Sequence, residues 1–213
     1  ARDAWLAARE PYLQSEVFRF YGGPIDEMED GPEGLINAWP LDEVYIDSVE
    51  GEPEAGIIND PSVELDAETL MGLNEGGGEK NIATGFHAIE FLLWGQDQRD
   101  DGPGDRPYTD FVDLGSLQIQ DRRREYLATV STLLVEHIEG LVAAWEEDDA
   151  DNYRADFEAA EPEEALRRIL TGMIVLSGFE TGGERLQTAL DTADQEDEHS
   201  CFSDTTRDDL ANN

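Results

Sequence analysis

Cysteine and lysine are nearly missing from this sequence: each occurs once, as Cys201 and Lys80. A lone cysteine cannot close a disulfide within the chain, so the fold must hold without one, and the redox compartment stays open. Basic charge of any kind is scarce, with 14 Lys and Arg against 51 Asp and Glu and a formal net charge of -37. A nucleic-acid partner is therefore not expected, because such binders need a basic face to displace counterions. No stretch approaches the roughly 20 consecutive apolar residues of a membrane span. Strand-like alternation is scarce, and no internal repeat is visible. There is no leader peptide and no initiating Met, and the opening ARDAWLAARE reads as mid-helix, so the sequence is expected to be trimmed from a longer chain.

Apolar residues still make up 39%, somewhat below the roughly 45–50% of an average globular chain, and 213 residues suffice for one or two domains. The difference is acid. Repulsion among so many carboxylates opposes compaction unless counterions screen it, and the screening length falls from about 10 Å at 0.1 M salt to about 3 Å at 1 M. The charge fits a solvated surface adapted to a salty medium, and it would also attract cations.

The periodicity is helical. Trp5, Ala8 and Tyr12 form a stripe that Glu16 and Arg19 continue, so polar groups face inward near the end of a first helix. Pro11 should kink or break it. Residues 22–80 are rich in turn formers and predict a long connection with short helices, one near Leu41–Val49. A connection of that length is often functional. A central helix is expected from about Asn81 to Gly95, since nearly all its faces are apolar or carry His87 and Glu90. A polar loop over Asp97–Tyr108 precedes a long core helix from about Leu117 to Glu146, carrying Leu127, Val130, Leu134, Ile138, Leu141 and Trp145. A short helix around Tyr153–Phe157 follows. Beyond Pro162 the stripe Leu166, Ile169, Met173 and Leu176 runs on into Glu180 and Glu184, so carboxylates turn inward again. Gly172, Gly178, Gly182 and Gly183 would admit a close backbone neighbour.

His87 and Glu90 lie three apart on one helix face, where imidazole and carboxylate can share a metal ion or form an acid-base pair. The pattern HxxE alone is common. Other inward charges stand on separate helices: Arg9, Glu16 and Arg19 on the first, Glu180, Glu184 and Arg185 on the last. Burying them is costly unless they pair or bind something. Ion pairs such as Arg19 with Glu180 are the plainer outcome. The acidic tail DTADQEDEHSCFSD adds Asp194, Asp197, Glu198, His199 and Asp204 as further donors, whereas His137 reads as a surface histidine.

The segments ARDAWLAAREPYLQSEVFRFYGGPID, INAWPLDEVYID, NIATGFHAIEFLLWGQD, GPGDRPYTDF, LTGMIVLSGFETGGERLQTALDT and DQEDEHSCFSD, in that order, resemble the imelysin-like, iron-regulated protein family. Its GxHxxE hallmark stands here as Gly85, His87 and Glu90. Where relatives often carry two glycines before the glutamate, this sequence has Gly178-Phe179-Glu180. The resemblance implies an all-α helical bundle in which residues 1–213 form one domain. The first helices and second half of a two-part fold would then lie outside it. It further implies a periplasmic or cell-surface protein of bacterial iron acquisition, which the acidic surface would suit to a high-salt organism.

Three roles follow from these residues. One is a binding protein that captures iron, or a small iron-bearing ligand, at His87 and Glu90, with Arg19, Glu16, Glu180, Glu184, Arg185 and His199 around them, and with envelope iron-uptake components as possible partners. A zinc metallopeptidase using the HxxE pair is the alternative, with His199 or His137 as third ligand; Phe91 stands where an HxxEH zincin has its second His. A ferritin-like di-iron bundle would need Glu-x-x-His on two helices plus two more Glu residues. This chain has one motif, in reverse order. The first role is the expectation taken forward.

Overall fold

Gly85–Trp94 forms the helix α5 around which the molecule is arranged, and every residue of it except Leu93 is buried. It can lie so deep because it is apolar on nearly all sides, leaving no face for water. In this computed structural model, residues 1–27, 31–99, 102–112 and 119–213 are described. The expected start of the long helix at Leu117, and residues 100–101 of the polar loop, lie outside them.

Around α5 stand α1 (Arg2–Ser15) and the long α6 (Ile119–Ala144), with α10 (Thr206–Asn212) packed on α1, and with the one-turn helices α2 (Glu33–Ile36) and α3 (Glu43–Ile46) and the two-turn α4 (Ala67–Leu73) in the connection between α1 and α5. The remaining helices are α7 (Tyr153–Ala159), α8 (Pro162–Ile174), a π-helical segment Val175–Gln187, and α9 (Thr188–Thr192). No strand occurs among the described residues, only an isolated bridge between Val49 and Glu52. The fold is an all-α helical bundle.

Several local expectations shift. The helix α1 runs through Pro11 without a break, and its buried face is Trp5, Arg9, Tyr12 and Leu13 rather than one through Ala8, which is exposed. The expected central helix begins at Gly85, not Asn81, because the backbone leading into it is non-helical over residues 81–84 and extended at Thr84. That entry is fixed by Asn74, whose Oδ1 accepts from Ala83 N (2.9 Å) and Thr84 N (3.2 Å). Tyr126 of α6 also donates to the Ala83 carbonyl at 2.7 Å.

The long connection is held by side-chain donors more than by its own helices. Arg122 donates to the carbonyls of Ile57, Ile58, Asp60 and Val63. Asp47 is wholly buried between Arg106 (2.8 Å) and Arg123 (2.7 Å), which ties the end of α3 to α6 and to the loop after α5. By length and composition α6 is long and apolar enough to cross a membrane. It carries Glu136 and Glu139, however, and buries Tyr126, Val130, Leu133 and Leu134 against the bundle.

The stripe on α8 is the largest departure from the sequence reading. Leu166, Ile169 and Met173 are exposed, and only Leu176 is buried. Helical spacing identifies an apolar face but not what lies against it, and here the inward contact is made by Gly172. A Cβ there would sit 2.1 Å from the carbonyl oxygen of Val17. Gly178 has no heavy atom within 4 Å of such a Cβ, so the expected role in close packing belongs to Gly172 and not to Gly178.

With a net charge of -37, the fold should melt at a higher temperature as salt rises from about 0.1 M to about 1 M, where the screening length shrinks to roughly 3 Å. Thermal melts at several salt concentrations check this; an unchanged midpoint would mean that carboxylate repulsion does not limit stability.

Candidate functional site

The first residues of α5 set the site. Gly85 has φ +84° and lies against the Ile36 carbonyl, where a Cβ would come within 2.5 Å. This close approach seats the first turn of α5 on α2 and brings His87 beside Trp39, with ring centroids 4.7 Å apart. His87 and Glu90 are both completely buried. Their three-residue spacing puts His87 Nδ1 2.8 Å from Glu90 Oε2. Glu90 Oε1 accepts from the backbone N–H (2.9 Å) and hydroxyl (2.6 Å) of Ser203.

Burial raises the Glu90 carboxyl to about 8 despite the Ser203 donors and the Arg9 charge, which pull the other way. Burial, with the Arg9 charge, pushes His87 well below its usual range, so the ring is neutral. While Glu90 is protonated, its O–H donates to Nδ1 and the ring hydrogen sits on Nε2. Once that proton leaves, Nδ1–H donates to the carboxylate and Nε2 presents a lone pair. Nε2 is buried and has no hydrogen-bond partner.

A second imidazole repeats the arrangement. The His199 ring centroid lies 4.5 Å from that of His87, the rings nearly perpendicular at 83°. His199 Nδ1 is 3.0 Å from Asp209 Oδ2, which also accepts from Arg9 Nη2 (2.5 Å) and Ser200 Oγ (2.6 Å). Burial, followed by the charge of Arg185, keeps His199 neutral as well. Each ring thus has Nδ1 on a carboxylate, the arrangement that fixes tautomer and orientation in histidine metal ligands.

From Arg9 the network continues through Asn37 (2.5 Å) to Glu16, whose Oε1 accepts from Asn37 Nδ2 (3.1 Å), Arg19 Nη1 (3.0 Å) and Arg185 Nη2 (3.0 Å). Arg185 also pairs with Glu180 at 3.0 Å, and Arg19 with Glu33 at 3.0 Å. Arg185 and Glu180 are five apart and meet because the π-helical turn repeats at i to i+5 rather than i to i+4. Beside the network a cleft of about 370 Å³ opens, lined by Trp39, Arg19, Arg185 and His199 at its inner side and by Glu180 and Glu184 among others.

The structure therefore joins His87, Glu90, His199, Arg19, Glu16, Glu180 and Arg185 in one neighbourhood. Glu184 belongs to it only as an exposed group at the cleft, not as the inward carboxylate its spacing suggested. Glu180 pairs with Arg185 rather than with Arg19. His137 lines a different surface cleft, near Tyr21 and Tyr153. Trp39, Asn37, Ser200, Ser203 and Asp209 were not singled out by the sequence. Trp39, Asn37, Ser200 and Ser203 fall inside the ordered blocks quoted above, which was the available signal; Asp209 had none. Among the described residues, no group of three or more His, Cys, Asp or Glu is placed to hold one metal ion.

Comparison with known proteins follows the same lines. The sequence model of the family described as Imelysin matches residues 1–213. The chain is 25% identical over 221 residues to "Iron-regulated protein A" of Synechococcus elongatus (strain ATCC 33912 / PCC 7942 / FACHB-805). The match covers 100% of this chain and 49% of that protein, so the chain spans about half the length of this curated relative.

Proposed function

Because the chain belongs to the imelysin family, we propose that it forms part of an extracytoplasmic binding protein of bacterial iron acquisition, holding iron or an iron-bearing ligand at His87 and His199. The observation that carries this reading is the pair of neighbouring imidazoles, each with Nδ1 held by a carboxylate, and the His87 Nε2 that has no partner in the buried interior. Neutral imidazoles beside carboxylates suit iron, and zinc equally. In this reading Glu90 orients His87 and takes up charge while Nε2 faces the metal, and Asp209 orients His199. Metal binding then releases a proton from the His87–Glu90 pair. The remaining ligands come from the bound molecule or from other parts of the full-length protein. The relative's name bears on iron regulation; a periplasmic or surface location and uptake partners belong to the same proposal.

Calorimetric titration of the full-length protein with ferrous iron and zinc tests it, with peptidase assays on unstructured substrates alongside. His87→Ala is expected to lower metal affinity by about 10–100-fold or more, given that loss of even an outer-shell partner costs that much, with no cleavage in either protein. Zinc-dependent cleavage abolished by His87→Ala would replace the binding reading by the peptidase one.

A further inference from the structure

Three buried or half-buried donors around the cleft have no partner. Arg185 spends Nε and Nη2 on Glu180 and Glu16, leaving Nη1 unpaired although the side chain is only 2% exposed. Arg19 spends its two terminal nitrogens on Glu16 and Glu33, leaving Nε. The indole N–H of Trp39 is likewise unpaired. All three residues line the 370 Å³ cleft together with His199. A buried donor without an acceptor is costly, and an incoming molecule rich in acceptor oxygens would relieve that cost.

The same cleft carries the acids Glu33, Glu75, Glu180, Glu184 and Asp197, on a chain of net charge -37. A free polyanion would meet repulsion from them, and a bare cation would meet the two guanidinium groups. A molecule offering oxygen acceptors and a metal charge at once satisfies both sets. Resting on the iron-binding reading above, we infer that the cleft takes iron as its complex with a small hydroxycarboxylate. The carboxylate oxygens of that complex accept from Arg185, Arg19 and Trp39, and the metal faces His199 at the cleft wall, with the buried His87 ring directly behind it. This division also accounts for a site where two imidazoles are neighbours and no group of three protein ligands is placed to hold a metal ion among the described residues: the chelator brings its own oxygens.

Titration of the full-length protein with ferric citrate, with citrate alone and with zinc tests the inference, using Trp39→Phe and Arg185→Gln as variants. Trp39→Phe leaves an aromatic ring beside both histidines and removes the N–H along with the second ring of the indole. Taking the ratio to zinc affinity on the same variant cancels packing changes common to both ligands, so it reads the hydrogen bond even if Arg185→Gln disturbs the fold. Ferric citrate should bind at least about tenfold tighter than citrate. Each variant should lower the ratio of ferric citrate to zinc affinity by about 3–10-fold, the worth of one hydrogen bond. An unchanged ratio in both variants, with zinc still bound and lost in His87→Ala, would overturn the chelate inference and leave metal binding standing. Citrate binding as tightly as its iron complex would overturn it too. Binding of neither zinc nor ferric citrate would end both readings.

Discussion

Replacing Asp47 by alanine is expected to cost about 3–5 kcal/mol of stability, the range for removing one partner of a buried ion pair. Asp47 is completely buried and accepts from Arg106, from two nitrogens of Arg123, from Ser48 and from Asn59. Without it, two guanidinium groups lose their counter-charge between α3, α6 and the loop after α5. For a chain of this size each kcal/mol moves the midpoint by about 2–4 °C, so a fall on the order of 10 °C is expected. Burial alone would raise the Asp47 carboxyl, but the Arg123 hydrogen bond and the charges of Arg106 and Arg123 outweigh it and hold it below the usual value. A depressed carboxyl contributes stability that is present above the unfolded value near about 3.9 and is lost as pH falls through the folded value. The gap between wild type and Asp47→Asn should therefore be wide at neutral pH and shrink in acid. Melts at both pH values check this, and a gap that stays constant would show that the charge of Asp47 is not what holds the three elements together.

Gly85→Ala is expected to damage stability and binding together. The backbone there sits at φ +84°, a conformation that costs an L side chain about 1–2 kcal/mol, and the new methyl would meet the Ile36 carbonyl at 2.5 Å. Relieving that overlap adds about 1–3 kcal/mol, as overpacking does elsewhere. The relief has to come from separating α5 and α2, which moves His87 relative to Trp39 and Asn37. Metal affinity should fall even though no ligand is altered. Gly178→Ala is the control, since nothing lies within 4 Å of the added carbon; it should be neutral or mildly stabilising, because Ala outranks Gly in helices by about 0.5–1 kcal/mol. Thermal melts and zinc titrations of both variants measure the contrast, and equal behaviour would remove the proposed role of the glycine in seating the motif.

The central position of α5 was legible because a segment apolar on every face has nowhere else to go, and HxxE was legible because i,i+3 spacing alone makes His87 and Glu90 neighbours. The inward turn of Glu16 and Arg19 could be read in the same way, since they continue the stripe begun by Trp5 and Tyr12. Periodicity failed on α8. It marked Leu166, Ile169 and Met173 as a face but carried no information about a neighbour, and the described residues leave that face exposed. It failed again at Glu184, because the π-helical turn changes the repeat and gives the inward place beside Glu180 to Arg185.

The inward charges on separate helices could be grouped around one site, but the particular pairings between distant parts of the chain could not be read. Asp209 reaches Arg9 across 200 positions and Ser203 reaches Glu90 across 113, and no local pattern encodes either pair. Composition and short-range spacing determined the helical class, the acidic surface and the His87–Glu90 pair, since each depends on residues that a helix itself makes adjacent. The placement of the second imidazole against His87, the carboxylate behind it and the unpaired donors of the cleft were decided by tertiary structure alone, because only the packing of α1 on α5 and α10, with the chain around Trp39 and His199 folded beside them, brings those groups to one place.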